Sequence, residues 1–368
     1  MKYARRIAVV GGGPAGSTCA RILASEGARV ELFEARGSSE KPCGGGVPAH
    51  ALGEFPELAD LSLGRRVVRE ILVVSPSGRS ASISLPEGIH IFRRVELDSY
   101  LRRRARLAGA AVHETKVKAV RPLPGGWEVL TEDGATGPFD HLIGADGVRS
   151  VVRRAVAGPY HDDQLTLALY AYLPGVANAG MVLRFLAGFD GYLWLFPRTD
   201  HLSVGICATH RSMEPARMED ELYRFVEEQC PGASLSPELI RGYFIPASLE
   251  PPVAGDGNWS LIGDAAGFVD PLTREGISWA MRSGTAAAAK LKTPHLPDNL
   301  RWAHRYRRGF YRGDFLDRVA RLASASAAIG GVLADLFEGH QGYRGLKRRL
   351  LLNAIPCGIQ VGLRLARR

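Results

Sequence analysis

The pattern of apolar and polar positions over residues 7–34 predicts a β-α-β unit. Residues 7–10 (Ile-Ala-Val-Val) form a continuous apolar run, which is typical of a parallel strand buried on both faces. Helical periodicity follows from about Pro14 to Glu26, and residues 30–34 (Val-Glu-Leu-Phe-Glu) predict a second strand. Such a unit is the usual start of a parallel, doubly wound sheet.

Later segments show a second pattern, in which apolar and polar residues alternate over short runs. Alternation at period two predicts strands of an antiparallel sheet with one buried face. The strands predicted in this way are residues 70–74, 80–85, 166–172, 181–185, 191–195 and 202–207.

Three segments return to the first pattern. Residues 95–110 have helical spacing, residues 140–147 predict a strand ending in a tight turn, and residues 259–267 predict a strand running into a loop. The predicted fold class is therefore α/β, in which a nucleotide domain is interwoven with an antiparallel sheet domain and followed by C-terminal helices. The predicted boundaries are 1–66, 91–158 and 256–292 for the nucleotide domain, 67–90 and 159–255 for the sheet domain, and 293–368 for the C-terminal helical region.

The loop between the first strand and the first helix carries the spacing G-x-G-x-x-G, with Gly11, Gly13 and Gly16 as its glycines. The first glycine permits a tight turn, the second lets a pyrophosphate approach the backbone, and the third lets the helix pack on the strand. Glu34 ends the second strand, 18 residues after Gly16, where a carboxylate can accept from both hydroxyls of an adenosine ribose. Strand, helix, second strand and acid together predict a dinucleotide site.

The basic residues Lys2, Arg5 and Arg6, followed by uncharged residues up to Ala20, are also typical of a secretory signal. The glycines and the proline in this stretch make it a poor apolar helix, whereas the dinucleotide fingerprint accounts for them. We therefore expect the mature protein to start at Met1.

Composition favours an intracellular α/β enzyme. The chain has 368 residues, 46% of them hydrophobic, and 43 glycines, which is unlike a disordered or fibrous protein. Its five cysteines form no C-x-x-C pair, so we expect neither a disulfide framework nor a structural zinc site, and we predict no metal. A reducing cytoplasm is the predicted location. The cysteines are Cys19, Cys43, Cys207, Cys230 and Cys357.

The net charge of +9 is unevenly distributed. Residues 301–368 contain 14 Lys and Arg but only 4 Asp and Glu, so this tail carries the whole excess. Residues 346–352 and 361–368 mix basic residues with leucines, a composition suited to anionic lipid headgroups. Nucleic acid is disfavoured because stacking aromatics are sparse, and a solvated helical face is the plain alternative. We therefore expect a peripheral association with an anionic membrane.

Residues 41–47 (Lys-Pro-Cys-Gly-Gly-Gly-Val) begin seven residues after Glu34 and contain a cysteine followed by three glycines. Glycines remove every Cβ from the segment, so a flat ring can lie against the main chain. Pro42 and the preceding β-α-β unit argue against a flexible linker. We expect this segment to form a floor for the reactive end of a cofactor.

Gly263 and Asp264 follow a buried strand, and a carboxylate at the carboxyl end of a parallel strand can hold a sugar-like hydroxyl. Residues 271–277 (Pro-Leu-Thr-Arg-Glu-Gly-Ile) then lead into a helix. The first amides of a helix suit a ring edge that becomes negative on reduction, such as the N1–C2=O edge of a flavin.

The order and spacing of these motifs resemble the FAD-binding set of the para-hydroxybenzoate-hydroxylase-like flavoproteins over nearly the whole chain. The matching segments are G-x-G-x-x-G with Glu34, Arg94-Val95-Glu96-Leu97-Asp98, Gly144-Ala145-Asp146-Gly147, Gly263-Asp264 and Pro271…Gly276-Ile277. The resemblance implies a Rossmann-like FAD-binding domain. The cofactor-binding residues that it implies are Gly11, Gly13, Pro14, Ala15, Gly16, Glu34, Ala35, Arg36, Cys43, Gly44, Arg94, Val117, Asp146, Gly263, Asp264, Pro271, Gly276 and Ile277.

Two further segments resemble motifs of the geranylgeranyl reductase family within that superfamily. Residues 42–46 (Pro-Cys-Gly-Gly-Gly) resemble the C-x-G-G-G motif, and residues 192–197 (Tyr-Leu-Trp-Leu-Phe-Pro) resemble the Y-x-W-x-F-P motif. The catalytic residues implied by the resemblance are Cys43, Gly44, Gly45, Gly46, Tyr192 and Trp194, with Tyr192, Trp194 and Phe196 shaping a prenyl pocket over the flavin. From the residues alone, an aromatic strand is equally typical of a core, and Cys43 can be a small apolar residue.

The family resemblance implies hydride transfer from reduced FAD to an isolated double bond of a prenyl lipid or prenyl diphosphate. The electron donor implied is NAD(P)H or a reduced ferredoxin-type protein. The W-x-W-x-I-P motif of the halogenases is missing from the sequence. Two alternatives remain at this point: an FAD- and NAD(P)H-dependent aromatic monooxygenase, and a membrane-associated flavin-binding protein without its own turnover.

Overall fold

The structure, a computed structural model, describes residues 5–35, 37, 40–174, 180–187, 191–247, 255–270 and 273–292. The predicted C-terminal helical region, 293–368, lies outside the described residues. The described part divides into two compact units: 5–65, 92–165 and 244–292 belong to the first, and 66–91 and 166–243 to the second.

The secondary-structure elements are numbered in chain order. The strands are β1 (Arg6–Val10), β2 (Arg29–Phe33), β3 (Gly46–Pro48), β4 (Arg65–Val74), β5 (Ser80–Phe92), β6 (Ala111–His113), β7 (Val117–Leu123), β8 (Gly126–Thr131), β9 (Gly134–Phe139), β10 (His141–Gly144), β11 (Leu165–Pro174), β12 (Met181–Phe185), β13 (Gly191–Pro197), β14 (His201–Thr209), β15 (Arg241–Pro246), β16 (Gly255–Asp256) and β17 (Trp259–Leu261). The α-helices are α1 (Pro14–Ser25), α2 (Ala49–Glu54), α3 (Arg94–Leu107), α4 (Val151–Val156), α5 (Pro215–Gln229) and α6 (Ile277–Lys292). Short 3-10 helices cover Pro56–Ala59, Asp162–Gln164, Pro237–Leu239 and Gly263–Ala265.

The first unit is built on a six-stranded sheet in the order β16-β17-β10-β1-β2-β6. All pairs are parallel except β16 with β17, which is antiparallel. The central strand β1 is apolar and almost fully buried after Arg6, as expected for a parallel strand covered on both faces. The Rossmann-like part of the predicted fold is therefore confirmed.

Helix α1 packs closely against α6 in the first unit. A Cβ on Gly284 of α6 would lie 2.4 Å from the carbonyl oxygen of Ala15, so only glycine lets the two helices approach this closely. The contact seals a core of small and branched residues around Val9, Cys19 and Ala288. This packing brings the start of α6 to the carboxyl edge of the sheet.

The first unit also contains a three-stranded antiparallel sheet, β7-β8-β9, which the sequence analysis does not predict. The predicted helix over residues 95–110 is found as Arg94–Leu107. It ends early because Gly109 adopts φ +103°, a left-handed conformation outside the helical region.

The second unit contains six strands in the order β11-β14-β13-β12-β4-β5, covered on one face by α5. Strands β11 to β14 pair antiparallel, as predicted. The pairing of β12 with β4 departs from the predicted antiparallel arrangement, because these two strands run parallel. Some 100 residues separate these two strands, and local alternation carries no information on the direction of such a distant pair.

Candidate cofactor site

The glycine-rich loop after β1 has the geometry that a dinucleotide requires. A Cβ on Gly11 (φ +102°) would lie 2.3 Å from the carbonyl oxygen of Ala145, and one on Gly16 would lie 1.9 Å from the carbonyl oxygen of Gly11. At Gly13 a Cβ would meet no atom within 4 Å. Gly11 and Gly16 are thus required by packing, whereas the backbone at Gly13 faces open space, where a pyrophosphate can approach. The loop therefore fits the phosphates of FAD.

Pro14 and Ala15 form the first turn of α1, beyond this loop, and both are buried. Pro14 has no N–H, so Ala15 supplies the first backbone N–H of the helix next to the open space at Gly13. Their contact with the cofactor stays a prediction.

Glu34 lies directly after β2, at the carboxyl edge of the sheet. Its Oε2 accepts a hydrogen bond of 2.6 Å from the backbone N–H of Gly12, which ties the acid to the glycine-rich loop. A carboxylate offers about four acceptor positions, and the binding of ribose hydroxyls by Glu34 stays a prediction. Ala35 follows in a bend, and Arg36 lies outside the described residues.

Arg102 is a member of this site that the sequence analysis misses. Its guanidinium donates to the carbonyl oxygens of Gly12, at 3.4 Å, and of Gly37, and to Ser99 Oγ at 3.1 Å. Its Cδ would be 2.8 Å from a Cβ on Gly12. Arg102 lies eight positions after Arg94 on α3, about two helical turns further along. That spacing is the one sequence signal that could have indicated a role for Arg102 in this site.

Asp264 lies in the 3-10 turn after β17, and it is paired with Lys41. Lys41 Nζ is 3.0 Å from Asp264 Oδ2, and both side chains are 16% exposed. The other carboxylate oxygen, Oδ1, would be 3.5 Å from a Cβ on Gly276, so the glycine leaves room beside it. The preceding residue, Gly263, has φ +58°, and the phenol of Tyr160 donates to the carbonyl oxygen of Asp264 at 2.6 Å.

The segment from Glu40 to Gly46 is held against the elements of the cofactor site. Both oxygens of Glu40 accept from the first amides of α3, those of Arg94 and Val95, at 2.9 Å each. Glu40 therefore caps α3, where a carboxylate is favoured by the helix dipole. Gly45 N–H donates to Cys43 Sγ at 3.3 Å, and Gly45 has φ +82°, which favours glycine. Gly44 precedes it, and Gly46 begins β3.

Arg94 is 3% exposed and forms a two-point ion pair with Asp98, at 3.0 Å from Nε and 2.8 Å from Nη2. Burial alone would lower the pKa of Arg94, but Asp98 and the side chain of Cys43 outweigh it and raise the pKa above its usual value. Arg94 is therefore a permanent cation in contact with the cysteine of the triglycine segment. This contact between helix arginine and cysteine was not predicted.

Asp146 has a role within its own chain. Its carboxylate accepts from Ser150 Oγ at 2.5 Å and from Val151 N–H at 2.7 Å, at the start of α4. Burial raises the pKa of Asp146, and the hydrogen bonds at α4 oppose that rise. A direct contact of Asp146 with the cofactor stays a prediction.

The loop before α6 carries Glu275, whose oxygens accept from Ser278 N–H at 2.7 Å and from Ser278 Oγ at 2.6 Å. Gly276 and Ile277 lead directly into the helix, as predicted, while Pro271 lies outside the described residues. Burial raises the pKa of Glu275 to about 7, opposed by the Ser278 hydrogen bonds. Val117 is the first residue of β7 and is buried; its contact with the cofactor stays a prediction.

The aromatic residues of β13 lie in the second unit. Tyr192 and Trp194 are buried, with ring centroids 6.2 Å apart, on the sheet face opposite α5. The Trp194 indole covers Gly205, where a Cβ would be 2.3 Å from Cζ2, and its N–H donates to Ser203 Oγ at 3.3 Å. Their predicted place over a flavin and around a prenyl chain stays a prediction.

The described ranges contain neither a candidate metal site nor a helix suited to cross a membrane. Within them, no group of three or more His, Cys, Asp or Glu side chains comes together as a metal site. The helices found in the same ranges include none with the length and apolar character needed to cross a membrane.

Comparison with known proteins agrees with this geometry. The family model of the NAD(P)-binding Rossmann-like domain matches residues 9–44. A solved structure described as geranylgeranyl bacteriochlorophyll reductase-like, from Thermoplasma acidophilum, superposes with a TM-score of 0.76 at 23% identity, over 95% of this chain and 99% of that one. Fold and site together define a dinucleotide-binding protein with a Rossmann-like sheet.

Two curated relatives narrow the class. Geranylgeranyl diphosphate reductase of Synechocystis is 33% identical over 311 residues, which cover 77% of this chain and 74% of the relative. Menaquinone reductase of Mycobacterium tuberculosis is 30% identical, over 83% of this chain and 81% of the relative. The chain belongs to the geranylgeranyl reductase family. It spans 65% of the length of the chloroplast relative from rice.

Proposed function

We propose that this protein is an FAD-dependent reductase that saturates isolated C=C bonds of a prenyl chain. The proposal is supported by family membership and by the dinucleotide geometry of the first unit. The bound FAD would supply a hydride from N5 when reduced, and a proton reaches the neighbouring carbon, so that each double bond gains two hydrogens.

The observation that carries the proposal is the anchoring of the cysteine-triglycine segment. Lys41 pairs with Asp264, and Cys43 contacts Arg94. Residues 41–43, which precede the glycines, are therefore attached at both ends to residues of the cofactor site. A segment without Cβ atoms that is also fixed in position can present its backbone to a flat ring. A flexible linker would have no such attachments.

An unactivated alkene is a poor hydride acceptor, so the protein must align it closely and keep water away. We assign the fixed backbone of Gly44 to Gly46 to the floor of the reaction site. We assign Tyr192 and Trp194 to the wall that holds the prenyl stem, since large aromatic rings bind apolar chains well. These two assignments rest on the family motifs.

Two kinds of substrate headgroup are compatible with the proposal. The Synechocystis relative is named for a prenyl diphosphate, and the mycobacterial relative for a quinone that carries a prenyl chain. The shared chemistry is the polyprenyl chain, and we propose a geranylgeranyl-type chain as the substrate. We also propose NAD(P)H or a reduced ferredoxin-type protein as the electron donor.

The decisive experiment is anaerobic incubation of dithionite-reduced protein with geranylgeranyl diphosphate and, separately, with menaquinone, read by mass spectrometry. A gain of about 2 mass units per double bond is expected for one of them. Oxidised protein is the control. Unchanged substrates in both incubations contradict the proposal, and oxygen insertion under aerobic conditions with NADPH would identify a monooxygenase instead.

We further propose a peripheral location at an anionic membrane, since prenyl lipids and prenyl diphosphates are amphiphiles. Residues 343–368, which lie outside the described residues, contain seven basic residues and no acid. Each basic residue near an anionic surface contributes about 1 kcal/mol. Deletion of 343–368 is expected to weaken flotation with anionic liposomes at low salt, and unchanged flotation would contradict a role of this tail.

A further inference from the structure

Two leucines of the first unit stand almost fully in solvent. Leu61 is 92% exposed and Leu107 is 78% exposed, the highest values for large apolar side chains in the described ranges. A single exposed leucine is ordinary in a folded protein. Leu107 ends α3, and a hydrogen bond to Asp60 attaches the loop that carries Leu61 to the same helix.

The loop that carries Leu61 is attached to α3. Tyr100 on α3 donates from its hydroxyl to Asp60 Oδ2 at 2.9 Å, and Arg104 donates to the same hydroxyl at 3.2 Å. Arg65 donates to the backbone carbonyl of Asp60 at 3.0 Å. Leu61, the next residue, is thereby held beside the α3 face that contains Tyr100.

Leu107 lies on that same face of α3. Tyr100, Arg103, Arg104 and Leu107 follow at spacings of three and four, which places them on one side of the helix. The guanidinium carbons of Arg103 and Arg104 are 5.5 and 5.9 Å from the centroid of the Tyr100 ring. At 1.5 Å per residue, Tyr100 and Leu107 are about 10 Å apart along the axis. Arg103 and Arg104 therefore lie along the helix between Leu107 and Tyr100, the residue to which the Leu61 loop is attached.

We propose that this surface, Leu61, Arg103, Arg104 and Leu107, with Arg65 beside it, rests on an anionic phospholipid bilayer. The leucines enter the boundary between headgroups and acyl chains, and the arginines contact lipid phosphates while their stems lie along the apolar surface. Arg65, Arg103 and Arg104 outnumber the carboxylate of Asp60 in this surface, so its net charge is positive and complements anionic headgroups. The inference rests on the proposed function in one respect, since a prenyl substrate would be drawn from a membrane.

The test is flotation of the full-length protein with vesicles of phosphatidylglycerol and phosphatidylcholine, and with phosphatidylcholine alone. We compare wild type with the double variant Leu61→Ser/Leu107→Ser and with Arg103→Gln. The matched control is Leu239→Ser, which changes a leucine of the second unit that is 42% exposed. Circular dichroism and flavin content verify that each variant is folded.

The double serine variant is expected to lower the partition coefficient at least tenfold, and Arg103→Gln about fivefold, with the Leu239→Ser protein like wild type. Binding should also fall at 0.5 M salt, because the Debye length shrinks to a few Å. If the variants bind like wild type, the inference is wrong, and any binding of the protein to vesicles comes from other parts of the chain. Wild type that does not float, or an equal loss in Leu239→Ser, would overturn it as well. Flotation requires no turnover, so failure here is distinct from failure of the reductase assay.

Discussion

Lys41 and Asp264, 223 positions apart in the sequence, form a 3.0 Å ion pair at the carboxyl edge of the nucleotide sheet. The pair joins the segment that carries the cysteine and three glycines to the aspartate expected to hold a sugar-like hydroxyl of FAD. Lys41 occupies Oδ2, while Gly276 leaves room beside Oδ1. The lysine therefore orients the aspartate as well as holding the glycine segment.

Replacing Lys41 with Gln is expected to weaken FAD binding about tenfold, since Asp264 loses a partly buried charged partner. Flavin fluorescence titration of the apoprotein measures this change in affinity. Lys41→Arg should retain most of the affinity, and Lys118→Gln, which changes an exposed lysine on β7, is the matched control. Equal affinity of Lys41→Gln and Lys118→Gln would show that the ion pair has no role in cofactor binding.

The variants Asp264→Ala and Glu34→Ala are both expected to lose FAD affinity by about 1.5–3 kcal/mol, because each removes a charge-assisted hydrogen bond to a cofactor hydroxyl. Glu34→Ala also frees the N–H of Gly12. Isothermal titration with FAD measures the loss, and Asp133→Ala, in the exposed turn after β8, is the control. Full flavin content in both variants would rule out the assigned roles.

The variant Trp194→Ala is expected to reduce turnover of long prenyl substrates far more than flavin content or stability. A buried indole leaves a cavity, so some stability will be lost, and the comparison with Leu195→Ala corrects for it. Leu195 is equally buried but faces the α5 side of the same strand. Thermal unfolding, flavin absorbance and product formation are measured on both proteins. Parallel losses in both would identify Trp194 as a core residue only.

Glu275 predicts a pH dependence of stability. Its pKa is about 7 in the folded protein, raised from 4.5 by burial. Between pH 4.5 and pH 7 the folded state binds more protons than the unfolded state. The contribution of protonated Glu275 to the free energy of unfolding is therefore complete below pH 4.5 and is lost as pH rises through 7. The loss is on the order of 3 kcal/mol. Glutamine resembles the protonated acid, so the free energy of unfolding of Glu275→Gln, measured with urea, should change less between pH 4.5 and pH 7 than that of wild type. An equal change in both proteins would exclude Glu275 as the source of the pH dependence.

The dinucleotide site was the part most open to prediction from sequence. The glycines of the G-x-G-x-x-G loop, the apolar run of β1 and the acid after β2 lie within 34 residues, and their spacing reflects local backbone geometry. Strands β11 to β14 were found for the same reason, since alternation at period two is a property of each strand alone.

Only the tertiary structure decided the contacts between distant segments: the Lys41–Asp264 pair, the cap that Glu40 forms on α3, and the hydrogen bonds of Arg102 to the glycine-rich loop. The parallel pairing of β12 with β4 belongs to the same group. Periodicity reports which face of an element is buried, but it does not report what lies against that face. A polar side chain gains its partner, and thereby its role, only when packing brings together residues that are far apart in the chain.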